Sequence, residues 1–563
     1  MNQHSLARVA APLLLLAALG ACGGGSNTPA PTESSGSAPP PVQTPPPPAV
    51  GSFTLTLSTD KALVIQGSTA SLTATVTRNN GFTGAVQVAL ADLPAGVTAQ
   101  PVLIAAGATS AQITLAAPQD AAHSLPTAAR ADATSGNESD RKPLTVTVGG
   151  APGVVDTSFN GGVQLTSVAE GEDYANAMAV QGDGKVISVG RTTTTAGGGD
   201  IAIVRFQRDG AIDTTFGTGG RVVTAIAAAR GSDEANAVAV QADGKIVVAG
   251  ASDNGASGLD FALVRYNADG SLDNSFGNGG KVVTTIGAST DRINAIAIQN
   301  DGKIVVGGDS DRGTTATGVD FALARYNTDG SPDTTFGTDG EVVTPIRTQS
   351  ARDSIYALQL QQVGGETRVV AVGGEGDFSA ARYTARGQLD GTFGNGGKVA
   401  SLFGNSIIGA ARAVVETPDH QLVLAGHIGN DFALARLNAD GTLDAGFGTA
   451  GKVINALATG TNWDSATALV RQQDGKLIAG GWVYEGNSSS ADFAVLRYSA
   501  DGMLDASFGN GGKVITPTVA SPRSDSGRAL VLQLDERIST VRALQAGEAS
   551  DSGYKFALLR YWL

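Results

Sequence analysis

The chain has 563 residues, too many for one ordinary domain. Glycine is abundant at 76 residues, aromatics make up 5% and charged residues 16%, a balance that points to an all-β protein rich in tight turns. The net charge is −14 and no basic run occurs, which excludes nucleic acid as a partner, because phosphate neutralisation needs clustered Lys and Arg.

The chain opens with a short basic head, Met1 to Arg8, followed by the apolar run Val9–Leu19 and the small residues Gly20 and Ala21. That order describes a secretory signal over residues 1–21. The run is too short to stay as a membrane-spanning helix. Cys22 is the sole cysteine, so no intramolecular disulfide can form. The string Leu19-Gly20-Ala21-Cys22 resembles the lipobox of bacterial lipoproteins. The resemblance implies that Cys22 is lipidated and becomes the mature N-terminus. Gly23 follows it rather than Asp, which by the same resemblance favours sorting to the outer membrane. Residues 22–51 are mostly Gly, Ser, Thr and Pro with a run at Pro45–Pro48, a composition that builds no core. At about 3.1 Å per residue in polyproline II, this tether reaches roughly 80–90 Å.

Residues 52–149 read as a small β-sandwich. Alternating segments occur at 53–57, 71–76, 85–90, 111–115 and 144–148, separated by turn signals such as Asn79-Asn80-Gly81. The segment Leu93-Pro94-Ala95-Gly96-Val97-Thr98 resembles bacterial surface immunoglobulin-like modules. The module is expected to act chiefly as a spacer. His123 stands alone there and forms no ligand set.

From residue 153 to 563 one unit recurs. Its Asp-x-x-Phe marker ends at Phe159, Phe216, Phe276, Phe336, Phe393, Phe447 and Phe508, spaced 54 to 61 residues apart. Each unit holds four short strands, in one copy 221–226, 236–241, 245–250 and 261–267, linked by Asp-Gly turns. Seven four-stranded units predict an all-β, seven-bladed β-propeller behind the sandwich. The strings Gln241-Ala-Asp-Gly-Lys-Ile-Val-Val-Ala-Gly250 and Asp260-Phe-Ala-Leu-Val-Arg-Tyr266 resemble the delta-60 repeat of bacterial secreted proteins. That resemblance implies a propeller-like domain, no settled activity and no catalytic residues. The fourth copy has Val363-Gly364-Gly365-Glu366 in place of the Asp-Gly turn, and the fifth has His420 where Gly is usual. Residues 163–168 lack a partner strand before them, and the last repeat lacks an outer strand, so the two are expected to pair and lock the ring.

Features present in every unit are read as structural. Arg205, Arg265, Arg325, Arg382, Arg436, Arg497 and Arg560 recur in the third strands, and Asp213, Asp273 and Asp333 exemplify the marker aspartates. An Arg fork matches a carboxylate, so an Arg–Asp network is expected, with a ring of ligand sites or calcium at the Asp-Gly turns as alternatives. No metal site and no cofactor is expected. His420 and His427 are too few for zinc, and no nucleophilic cysteine, Gly-x-Ser-x-Gly elbow or phosphate loop occurs. Acids from different blades could still pair for glycoside chemistry without a linear signature. The variable loops, among them 252–259, 459–465 and 483–491, fall on one face, where binding usually resides. Trp463, Trp482, Tyr484 and Glu485 cluster in one repeat and are the candidate ligand-binding residues, since aromatics beside an acid suit sugars or peptides. The expectation is a monomeric, lipid-anchored binding or scaffold protein of the outer membrane, facing a protein, peptide or glycan of the envelope. A propeller hydrolase or lyase acting on glycans or peptides is the alternative.

Overall fold

The computed structural model describes residues 51–193, 198–226, 231–253, 255, 258–311, 318–347, 352–404, 408–457, 463–484, 491–517, 525–535, 540–550 and 554–563. Cys22, the signal and the tether lie outside the described residues, as do Glu485 and parts of the variable loops. No helix among the described residues is long and apolar enough to cross a membrane.

Nine strands form the N-terminal part: β1 (Ser52–Leu57), β2 (Lys61–Ile65), β3 (Thr69–Asn79), β4 (Val86–Ala91), β5 (Thr98–Ala99), β6 (Val102–Ile104), β7 (Ser110–Ala116), β8 (Thr127–Ser135) and β9 (Glu138–Gly149). They make two sheets, β1-β3-β7-β5 and β2-β9-β8-β4-β6, with β2 parallel to β9. Alternate side chains such as Leu55, Leu72, Val86, Ile113 and Leu144 point inward and share one buried core. Strands β2, β5, β6 and β8 add to the five segments visible in the sequence. In β8 the inward positions are Ala129, Ala131 and Ala133, whose small side chains give little strand signal.

Behind the sandwich, seven four-stranded antiparallel sheets follow among the described residues. The second is representative: Asp233–Val240 innermost, then Ile246–Asp253, Leu259–Tyr266 and Lys281–Thr284. Its third strand reads Leu-Asp-Phe-Ala-Leu-Val-Arg-Tyr and is buried on both faces after the first residue. A sheet sandwiched between neighbours loses the apolar/polar alternation of a half-exposed one. The repeat unit and the sheet are out of phase. The strand at 221–226, grouped by sequence with 236–241, spans Arg221–Thr224 and completes the preceding sheet as its outer edge. The marker turn sits between the third and outer strands, so the chain crosses to the next sheet only after the outer strand.

The same offset closes the ring. Val163–Thr166 pairs antiparallel with Tyr554–Trp562, with Val163 opposite Leu559 and Thr166 opposite Phe556. The last sheet therefore draws its outer strand from the start of the repeat region. The innermost strands of successive sheets neighbour one another, and that of the seventh neighbours that of the first.

The Arg and Asp of each repeat meet at the outer end. Arg205 Nε donates to Asp213 Oδ2 at 2.7 Å, Arg265 to Asp273 at 2.7 Å, Arg325 to Asp333 at 2.7 Å and Arg382 to Asp390 at 2.9 Å. Arg436 pairs with Asp444 at 2.7 Å, Arg497 with Asp505 at 2.9 Å and Arg560 with Asp156 at 2.8 Å. Each guanidinium also lies over the marker Phe, for example Arg265 over Phe276 at 4.5 Å. A second arm reaches the next sheet: Arg325 Nη1 donates to Ala385 O at 2.7 Å, and Arg560 Nη1 returns to Arg208 O at 2.9 Å. One side chain thus ties its own marker turn and the neighbouring sheet.

The two irregular turns have local explanations. Gly364 and Gly365 take φ of 60° and 84°, which suits a two-residue hairpin turn between Val363 and Glu366. His420 adopts φ 60° where other repeats place Gly, and its Nδ1 contacts Glu416 at 2.6 Å.

Candidate functional site

Every innermost strand carries a register shift at the same place. The shifts fall between residues 175/177, 235/237, 293/295, 355/357, 411/413, 466/468 and 527/529. A bulge re-aims the extra residue. The seven bulged residues are Asn176, Asn236, Asn294, Tyr356, Arg412, Thr467 and Arg528, and all seven line one cavity of about 900 Å³. The sequence prepares each bulge from the facing strand. Gly250 opposes Ala235, and a Cβ there would collide with the Glu234 carbonyl.

A buried aspartate sets the strand start in several sheets, and Gly409 takes its place in the fifth. Asp173 Oδ2 accepts from Val168 N at 2.8 Å, Asp233 from Ile226 N at 2.6 Å, Asp291 from Ile286 N at 2.8 Å and Asp464 from Leu457 N at 2.6 Å. These carboxylates satisfy backbone donors where the chain enters the next sheet. They belong to a recurrent Asp-x-x-x-Ala, whose third x is the bulged residue.

At four joints the bulged side chain ties neighbouring sheets. Asn176 Nδ2 donates to Ala235 O at 3.0 Å, Asn236 to Ile293 O at 3.1 Å, Asn294 to Ile355 O at 3.0 Å and Thr467 Oγ1 to Gly527 O at 2.7 Å. The other side of the cavity differs. The Arg412 guanidinium lies over the Tyr356 ring at 3.8 Å. Tyr356 OH donates to Glu375 Oε1 at 3.1 Å, and Arg352 approaches Glu375 at 3.6 Å. Burial, against the pull of the Arg412 charge, raises the Tyr356 pKa. Asn294 also donates to Asp309 Oδ1 at 3.2 Å. Burial lifts the Asp309 carboxyl to about 6, Arg292 and Asn294 pull the other way, and Glu375 adds to the rise.

Trp463 and Trp482 both line this cavity. Trp463 is 43% exposed and sits 6.4 Å from the His427 ring. His427 is buried, and Ser465 Oγ lies 3.2 Å from its Nδ1. Burial, assisted by the Arg412 charge, lowers its pKa to about 4, so the ring is neutral near pH 7. Tyr484 stacks edge-on against Trp482 at 5.3 Å and is not among the lining residues. Among the described residues no group of three or more His, Cys, Asp or Glu could hold a metal ion.

Tyr356, Arg412, Glu375, Asp309 and His427 were not singled out for binding by the sequence. Their signal is weak but present: the third x of Asp-x-x-x-Ala departs from Asn in sheets four, six and seven, and in sheet five Gly409 replaces the Asp and Arg412 stands at the x position.

His123 lies elsewhere, in the sandwich. Its Nδ1 accepts from Thr157 N at 3.2 Å, its Nε2 meets Gln66 Oε1 at 3.0 Å, and its ring contacts Trp562 at 5.7 Å. It therefore joins the sandwich to the closing strand.

The model of a β-propeller domain of unknown function matches residues 181–216, 241–276, 299–336, 417–447 and 472–508. The corresponding stretches of sheets four and seven lie outside these matches, and those sheets carry Tyr356 and Arg528. No curated protein matches the sequence. Solved structures with partial similarity include an endo-arabinase from Bacteroides thetaiotaomicron, at 10% identity and TM-score 0.27, covering 48% of this chain and 92% of that one. Prolyl oligopeptidase B from Galerina marginata is 9% identical at TM-score 0.32, covering 83% of this chain and 55% of that one. Likeness at this level carries no functional argument. The repeat matches and the succession of four-stranded sheets together identify the region after the sandwich as a β-propeller repeat domain.

Proposed function

We propose that the chain is a lipid-anchored binding protein of the bacterial outer envelope. In this reading Cys22 carries the lipid, the Pro-rich segment and an immunoglobulin-like sandwich act as stand-off, and a seven-bladed propeller binds a glycan or peptide as a monomer. The observation that carries the binding role is the broken symmetry of the cavity. The seven bulges deliver Asn and Thr latches in sheets one, two, three and six, Tyr356 with Arg412 in sheets four and five, and Arg528 in sheet seven, beside Trp463 and Trp482. A ring built only to hold itself together has no need for that exception. The test is an array of envelope glycans and peptides probed with the wild-type protein and with Trp463→Ala/Trp482→Ala. Loss of signal in the variant supports the cavity; equal signals refute it. For the anchor, Cys22→Ala should abolish palmitate labelling and release the protein from membranes.

One observation favours a hydrolase or lyase as the second reading. Burial lifts the Asp309 carboxyl to about 6, and it holds Asn294, which lines the cavity together with Glu375, an arrangement suited to proton transfer. Turnover of a glycan or peptide that Asp309→Asn abolishes, with binding kept, would select it.

A further inference from the structure

Arg412 is the exception within the exception. It stacks on Tyr356 and forms no hydrogen bond or ion pair among the described residues. Glu375, in the same cavity, already has Arg352 and the Tyr356 hydroxyl as partners. Among the described residues this cation is unpaired, in a protein whose net charge is −14. Beside it stand a half-exposed indole, Trp463, and the hydroxyl and amide side chains of Ser465, Thr467 and Asn294.

We propose that the cavity binds an acidic saccharide, with one uronate carboxylate paired to Arg412 and the apolar face of the sugar ring laid on Trp463. This rests on the binding role proposed above and names its ligand. A guanidinium fork fits a carboxylate, and an aromatic face fits the C–H face of a sugar. A dianionic phosphate would meet stronger repulsion from Glu375 than a singly charged carboxylate does. An extended peptide would need free backbone groups on a strand edge. Here the inner-strand carbonyls of Ala235, Ile293, Ile355 and Gly527 already accept side-chain bonds.

The test is calorimetric titration of the full chain with disaccharides of galacturonate, glucuronate and mannuronate, their neutral counterparts, and an acidic peptide of equal charge. At low salt at least one uronate should bind roughly 10- to 100-fold more tightly than its neutral counterpart. Arg412→Gln should erase that preference, so that uronates bind no more tightly than their neutral counterparts, while Arg412→Lys should keep part of it. Unchanged thermal unfolding of both variants verifies the fold. Equal affinity for acidic and neutral sugars, with Trp463-dependent binding of both, overturns the inference and leaves the binding role standing. Tighter binding of the peptide overturns the saccharide. Absence of binding to every probe and to the envelope array overturns both.

Discussion

The ring is locked by a pair that joins residues 404 positions apart, and that pair gives the sharpest stability test. Arg560 Nε and Nη2 each lie 2.8 Å from Asp156 Oδ2. Their side chains are 1% and 0% exposed. Asp156→Ala removes this carboxylate from a buried guanidinium that keeps Arg208 O and Gln533 Oε1 among its acceptors. Breaking a buried pair by removing one partner costs about 3–5 kcal/mol. Replacing both partners by apolar groups is often close to neutral, so Asp156→Ala/Arg560→Met should recover much of the loss. The assay is urea denaturation of the wild type, Asp156→Ala, Arg560→Met and the double variant, with hydrogen exchange followed at Val163–Thr166 and Tyr554–Trp562. Exchange in these two strands should accelerate first, because only four residue pairs hold the outer strand. A loss below about 1 kcal/mol in Asp156→Ala would refute the argument from uncompensated burial. So would a double variant as unstable as the sum of the two single variants.

Acid should weaken the whole ring. Burial works to raise the pKa of Asp273, but bonds from Ser275 and Lys245 and the Arg265 charge outweigh it and hold it well below the usual range. Asp213, Asp333 and Asp505 are likewise depressed. Their stabilisation is present above the unfolded carboxylate pKa of about 4 and is lost as pH falls below it. Asp273→Asn should reduce the acid slope of stability by up to about 1.4 kcal/mol per pH unit, read from denaturation midpoints between pH 5 and 2. Gly250→Ala should destabilise by about 1–3 kcal/mol, because the bulge carbonyl must move; an unchanged unfolding midpoint would count against the bulge as its cause. His427 should titrate near 4 by NMR, and Trp463→Ala, which admits water, should raise that midpoint.

How much was legible follows from where the information lies. The Asp-x-x-Phe marker, the Arg of the third strand and the Gly facing each bulge recur, so the repeat reveals itself by comparison with its own copies. The cavity does the opposite. Asn176, Tyr356, Arg412 and Arg528 are single residues far apart in sequence, brought to one wall only by ring closure. Trp463 and Trp482 were visible because tryptophan is rare here, at 3 residues in the chain. Arg412 was not, because one Arg in an Ala/Val strand carries no signal until its neighbours are known. Strand β8 was hidden for a different reason: alanine at its inward positions fits the core but does not mark a strand.

The pairing of Val163–Thr166 with Tyr554–Trp562 also sets an order of events. The native partner of the first strand is synthesised nearly 400 residues after it. A chain that closes only when its last strand arrives stays open while it is still emerging.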